Sequence, residues 1–205
     1  SDIYGLTGMA LLEMFINGEV ITEETDLPKI HGRIKATVDQ LVEAMDGKLS
    51  IEDRFLLGQS LEHYRHLVNQ VEEITAVIKQ YVLERFEREY SLLIELPGVS
   101  AIVACVILSE IGPNVEAFQS QGNLASWAGV CPGSYESAGI KKSSHTTQGN
   151  KYLKSSLFQA GGTAGRSKDE AFHSLYTRIS SRSSKMKAII AYAHKMIRII
   201  YKILS

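Results

Sequence analysis

The sequence predicts an all-α, mainly helical protein: a long coiled-coil helix followed by a compact helical domain that contains a helix-hairpin-helix-like segment. Three observations carry that prediction. Residues 51–95 hold an apolar repeat in steps of four and three, uninterrupted by proline. Elsewhere apolar residues recur at helical spacing, and glycine, proline, Asx and hydroxyl residues punctuate the breaks. No segment alternates apolar and polar residues convincingly over more than four positions, so strand patterning is weak throughout.

The elements follow in order. Residues 6–17 read as a short helix that stops at Gly18. The stretch DLPKIHGRIKATVDQLVEAMDG reads as a second helix, with Asp26 as its cap, Pro28 in its first turn and Gly47 as its stop. From Ile51 to about Glu95, Leu57, Leu61, Tyr64, Val68, Val71, Thr75, Ile78 and Val82 make an a/d seam, flanked by Leu67, Ile74 and Tyr81. A single helix of about 40 residues spans roughly 60 Å, more than a small domain buries alone. It therefore needs a partner, either a second subunit, making a homodimer through residues 51–95, or an antiparallel helix from residues 26–45 of the same chain. The chain divides on this reading into a helical linker and coiled-coil region, 1–95, and a C-terminal domain, 96–205.

The second region opens with LIELPGVSAIVACVILSEIGP. A helix ends at Leu96, Pro97-Gly98 makes a tight turn, and an apolar helix runs from near Ser100 to Gly112-Pro113. This has the form of a helix-hairpin-helix, in which turn amides and a helix N-terminus face a DNA phosphate. Gly98 and Ser100 are the DNA-contact candidates, with Ser100 standing where a second glycine is usual; an ordinary helical corner is the other reading. NLASWAG, residues 123–129, reads as a short helix with Asn123 as N-cap and Gly129 as stop. Asn150 is the expected N-cap of the next helix, and helical pattern returns over 171–176 and 185–204. In the last helix Met186, Ile190, Ala193, Ile197, Ile200 and Leu204 form an apolar seam, with Lys187, Lys195, Arg198 and Lys202 off it. Core packing with a solvated basic face explains that helix better than a membrane-surface role.

Composition narrows the class. An apolar fraction of 44% and a charged fraction of 22% over 205 residues are those of an ordinary soluble protein with a real core. Cys105 and Cys131 have neither CxxC nor paired spacing, which argues against a disulfide framework or a cysteine zinc site and suits a reducing cytoplasm. The N-terminal residues lack the basic start and cleavage site of a secretory signal. The longest apolar stretch, VSAIVACVIL, is about half of the roughly 20 residues that a membrane span needs. A cytoplasmic protein without membrane contact is expected. The missing initiator methionine points to a piece of a longer protein.

A formal net charge of -1 conceals a polar distribution. Residues 1–132 carry 9 Lys and Arg against 20 Asp and Glu, whereas residues 133–205 carry 13 against 3. The basic C-terminal third is suited to an anion, and nucleic acid is the commonest large one in a cytoplasm; mutual attraction between the two halves is the alternative. Within that third begins GVCPGSYESAGIKKSSHTTQGNKYLK, residues 129–154, a polar insert with four glycines and four lysines between two helical segments. Its composition suits a backbone that leaves regular structure to approach a phosphate.

Three stretches, LPGVSAIVACVILSEIG, LASWAGVCPGSYESAGIKKSSHTTQGNKYLKSSL and YTRISSRSSKMKAIIAYAHKMIRIIYKIL, resemble in that order the C-terminal part of insertion-sequence transposases of bacteria and archaea. These are the RNA-guided bridge recombinases. The opening SDIYGLTGMALLEMFINGE resembles the stretch after their N-terminal domain, so the resemblance covers nearly the whole chain. It implies a C-terminal transposase domain with a serine nucleophile, preceded by a coiled coil over about 20–95. It further implies an N-terminal RuvC-like domain with four acidic residues, which this chain begins after. The family's serine falls in the segment ESAG after the turn GVCP, at Ser137. Lys141, Lys142, Lys151 and Lys154 are placed to meet the negative charge of phosphoryl transfer. DNA is the expected partner, together with a guide RNA. No metal set or cofactor is expected in these residues, magnesium belonging to the acidic domain, and the piece alone is expected to be inactive. His145 and Glu136 are weaker candidates for assisting the serine. A nucleic-acid-binding and dimerisation module without chemistry is the alternative function.

Overall fold

A computed structural model of the chain describes residues 4–19, 36–131, 135–137, 140–143, 145–167 and 170–205. Side-chain oxygens set its helix starts. Thr37, Ser50, Ser100, Ser120, Asn150 and Ser184 each accept a backbone N–H from two or three residues ahead, satisfying donors that a helix leaves unpaired at its N-terminus. The chain forms two compact units, residues 1–73 and 74–205.

In the first unit α1 (Leu6–Asn17) ends as expected at Gly18, whose φ of 74° is left-handed. Helix α2 (Val38–Ala44) is shorter than the sequence suggested. Thr37 and Gln40 form a reciprocal capping box, so a helix starts there, and it stops before Gly47. The proposed start at Asp26 and Pro28 lies outside the described residues. Helix α3 (Ile51–Ile94) begins in this unit. Its N-terminal part meets the start of the chain: Arg65 pairs with Glu13, Tyr64 stacks on Tyr4 with ring centroids 5.3 Å apart, and Leu61, Ala10 and Leu11 are all buried. The in-chain neighbour of the seam is thus α1 over Leu61, with Val68 and Val71 left exposed.

In the second unit α3 is not one uninterrupted helix. Phe86, with φ -138° and ψ 36°, breaks it. The break comes where the helix enters the core: Val82, Tyr90 and Leu93 are buried there and Phe86 packs against the same cluster. The core is completed by α4 (Ala101–Ile111), α5 (Gln121–Trp127), α6 (Lys151–Ala164) and α8 (Lys185–Ile203), with α7 (Glu170–Arg182) packed on α8. Helix α5 starts at Ser120, not Asn123, because Asn123 sits in the first turn and gives its N–H to the Ser120 hydroxyl. Helix α8 is the hub, packing on α5, α6 and α7. Its buried stripe is Ala188, Tyr192, Ala193, Met196, Ile197 and Ile200. Met186 of the expected seam is exposed: the stripe turns toward α6, where Gly161 lets the α8 backbone approach closely. A Cβ on Gly161 would stand 3.0 Å from the Ile189 carbonyl oxygen.

The Pro97-Gly98 turn is held inside this core. The Tyr192 hydroxyl donates to the Pro97 carbonyl at 2.8 Å. Gly98 has φ 87°, and a Cβ there would lie 2.8 Å from the Ala164 Cβ and overlap the Ala160 carbonyl. The close approach that glycine permits at this turn is therefore made by α6.

Candidate active-site hairpin

Between α5 and α6 the chain forms a two-stranded antiparallel hairpin, β1 (Tyr135–Ser137) and β2 (Ile140–Ser143). Strands of three and four residues are too short for alternation to announce them in the sequence. Ser137 is the last residue of β1 and pairs with Ile140, so it stands where the hairpin turns back. Glu136 pairs with Lys141 and Tyr135 with Ser143, which leaves Lys142 as an extra residue on β2. Such a bulge bends and twists the ribbon locally. Pro132, Gly133, Ser134, Ala138, Gly139 and Ser144 lie outside the described residues, among them two of the insert's four glycines.

The base of the hairpin is closed by backbone. Thr147 N–H donates to the Cys131 carbonyl at 3.3 Å, and Asn150 N–H donates to the Trp127 carbonyl at 2.9 Å. Two glycines cross between these bonds. A Cβ on Gly149 would stand 2.5 Å from the Gly129 Cα and 2.6 Å from the Trp127 oxygen. Gly129 itself has φ 71°, so only a residue without a side chain suits either strand of the crossing. Asn150 is the node. Its Oδ1 accepts from the Tyr152 and Leu153 amides, both at 3.0 Å, capping α6, while its Nδ2 donates to the Glu110 carboxylate at the end of α4. Lys154 Nζ donates to the Thr147 carbonyl at 3.0 Å, holding the returning strand from the next turn of α6.

The sequence candidates therefore separate. Ser137, Lys141 and Lys142 lie on the hairpin; Lys151 is exposed at the start of α6, its ammonium 4.8 Å from the Tyr152 ring centroid; Lys154 is committed to the hairpin base. Ser100 is the exposed N-cap of α4, and Gly98 is packed against α6. His145 is exposed just after β2. Because the Asn150 side chain already takes two leading amides of α6, that helix start is a mechanical anchor. Cys131, at the hairpin base, is a poor nucleophile because burial pushes its thiol pKa up. Among the described residues no group of three or more His, Cys, Asp or Glu side chains is arranged to hold a metal ion. No helix among the described residues is long and apolar enough to cross a membrane.

Glu110 was missed in the sequence, although a signal existed. It is the lone charged residue of α4, and it sits near the helix C-terminus, where the helix dipole disfavours a carboxylate. An acid kept there calls for a specific partner, and Asn150 is that partner, 40 residues away.

The hairpin and its anchors lie within residues 90–177, which match the model of the Transposase IS116/IS110/IS902 family. Over that stretch the chain is similar to the transposases of this family. The matched stretch starts on the last turn of α3 and ends on α7, so α4, α5, the hairpin and α6 are all inside it. A pilin gene-inverting protein of Moraxella lacunata is 30% identical over 149 residues, 70% of this chain and 46% of that relative. The pilin gene-inverting protein of Moraxella bovis is 29% identical over the same length and shares. The chain thus matches a little under half the length of these relatives.

Proposed function

We propose that this chain is the DNA-engaging part of a recombinase that cleaves and rejoins DNA strands, with Ser137 as nucleophile. The observation that carries the reading is the position of Ser137 at the turning end of an anchored hairpin inside the matched stretch. The gene-inverting function named for the two relatives, itself a DNA rearrangement, supports it. In the step proposed, the Ser137 Oγ loses its proton and bonds to phosphorus, while the bond from phosphorus to one sugar oxygen breaks and that oxygen gains a proton. A sugar hydroxyl of another strand then attacks the same phosphorus and releases the serine. Lys141, Lys142, Lys151 and Ser100 contact phosphates around the site, and the excess of 13 basic over 3 acidic residues in 133–205 draws the duplex in. The same basic third takes a guide RNA in the intact protein, and magnesium chemistry belongs to an acidic domain outside the described residues. The exposed stripe of α3, including Val71 and Ile78, pairs with a second copy of the chain.

The test uses the intact protein and a plasmid carrying its own gene with flanking DNA. A covalent protein–DNA adduct mapping to Ser137 is expected, and it should vanish in Ser137→Ala while DNA binding persists. Normal strand joining by Ser137→Ala would reject the serine and leave the hairpin as a phosphate clamp. DNA binding by the present chain should weaken steeply with salt, with a log–log slope near about -4 to -5 that drops by about 2 when Lys141 and Lys142 are both removed.

A further inference from the structure

We propose that Glu110 and Asn150 are positioning residues for the chemistry at the hairpin, an inference that rests on the Ser137 reading above. Neither residue lies on the hairpin, and their role is argued from what they join. The Asn150 backbone N–H is bonded to the end of α5 at Trp127, its Oδ1 caps α6, and its Nδ2 reaches the Glu110 carboxylate on α4. Three core helices are thus tied at one residue, two of them through its side chain, three residues beyond Thr147, where the returning strand bonds to Cys131. Leu124, Leu153 and Leu157 are fully buried on two of those helices, and Ala104, Ile107 and Leu108 are buried on the third. The frame is therefore as rigid as the core behind it.

Val130 and Cys131 of the outgoing strand pack against that core, while the crossing itself is made by two glycines. What fixes the hairpin's exit direction there is the contact of Gly129 with Gly149 and the bonds on either side of it. Two glycines in contact give close approach but no side chain to hold an angle. On the returning strand the angle is held one residue later, at Asn150, which Glu110 binds, with the Lys154 bond to the Thr147 carbonyl beside it. A small rotation at this base becomes a larger displacement at the turning end that carries Ser137. Displacement of about 1 Å at a reacting atom costs on the order of a hundredfold in rate without touching the chemistry itself.

The bond also has a direction that can be inverted. Asn150 donates and Glu110 accepts. Asn150→Asp retains a capping oxygen for α6, since aspartate is as good an N-cap as asparagine, but sets one carboxylate against another. Glu110→Gln in the same protein restores a donor across the same gap. The double variant therefore rebuilds the bond with its polarity reversed.

The experiment measures covalent adduct formation by the intact protein on a plasmid carrying its own gene and flanking DNA, across a range of plasmid concentrations. Asn150→Asp is expected to lower the saturated rate by about ten- to a hundredfold, with the half-saturating plasmid concentration within about twofold of the parent. Glu110→Gln alone keeps an acceptor oxygen and should stay within about threefold of the parent, as should the double variant. An Asn150→Asp protein with the parental rate, or one that Glu110→Gln fails to rescue, overturns the proposal. Ser137→Ala is assayed alongside. If it is inactive while the Asn150 variants behave normally, the positioning role alone falls; if it is active, the serine reading falls and the positioning role with it.

Discussion

Helices α3 and α8 carry apolar stripes of similar residue types at similar spacing, and their fates are opposite. On α8, Ala188, Tyr192, Ala193, Ile197 and Ile200 have no exposed surface. On α3, Val71 is 63% exposed and Ile78 is 47% exposed, and burial returns only at Val82, beside the break at Phe86. The difference lies in the neighbours. Helix α8 meets α6 at Gly161, whose missing side chain lets the backbone at Ile189 and the ring of Tyr192 come close. In the middle of α3, Thr75, Ile78 and Lys79 face Ala101, Cys105 and Ser109 of α4 only across an open cavity, so Ile78 is not enclosed and Val71 and Tyr81 stay exposed. Periodicity names the face of a helix that wants to be dry; it does not say where the covering surface comes from.

That comparison can be broken or sharpened by substitution. The largest effect on folding is expected at α8, where Ile197→Ala removes a fully enclosed side chain and should cost about 2–5 kcal/mol in chemical denaturation of this chain. A cost under 1 kcal/mol would mean that the stripe is not packed as described. Next comes Tyr192→Phe, which keeps the ring but removes the hydroxyl that binds the Pro97 carbonyl, leaving a carbonyl unpaired; about 1–2 kcal/mol is expected. Replacing Val71 and Ile78 together with Asp should change the stability of the single folded chain by less than about 0.5 kcal/mol each, because both sites are exposed. The same change should convert a dimer to a monomer in light scattering, and a parent chain that is already monomeric at tens of micromolar removes the dimer.

The smallest effect is a pH slope. Burial, with Arg198 adding repulsion, holds the pKa of His194 on α8 below its ordinary 6.5. The unfolded chain then binds this proton more readily than the folded one, so the protein loses stability as pH falls below 6.5 and through the folded pKa. His194→Gln should flatten that acid limb of the stability curve, leaving the value at pH 8 nearly unchanged. An unaltered acid limb would place the proton uptake elsewhere.

Local chemistry was legible where its cause is local. Gly18, Asn150 and Gly129 were read correctly because a cap or a left-handed stop needs only its own few neighbours. Asn123 was misread as a cap because Ser120, three residues earlier, offered the better-placed oxygen. The seam of α8 was right at Ala193, Ile197, Ile200 and Leu204 and missed at its N-terminal end, where Met186 is exposed and Ala188 and Tyr192 are enclosed instead, near Gly161 of α6. At the candidate site, Ser137 and the lysines were named from a family pattern. The hairpin was not, since three- and four-residue strands leave no period to detect. Glu110 stayed hidden because its partner lies in another helix.

The sequence by itself determined the helical class, most of the helix starts and stops, and the charge polarity, because each follows from composition and from hydrogen-bonding and side-chain chemistry acting over a few residues. Only the tertiary structure decided that Gly98 serves α6, that Lys154 holds the hairpin base, and that Glu110 binds Asn150. Those are contacts between residues far apart in the chain. Their existence depends on how closely two backbones can pack, and that is settled by the whole set of small and large side chains between them.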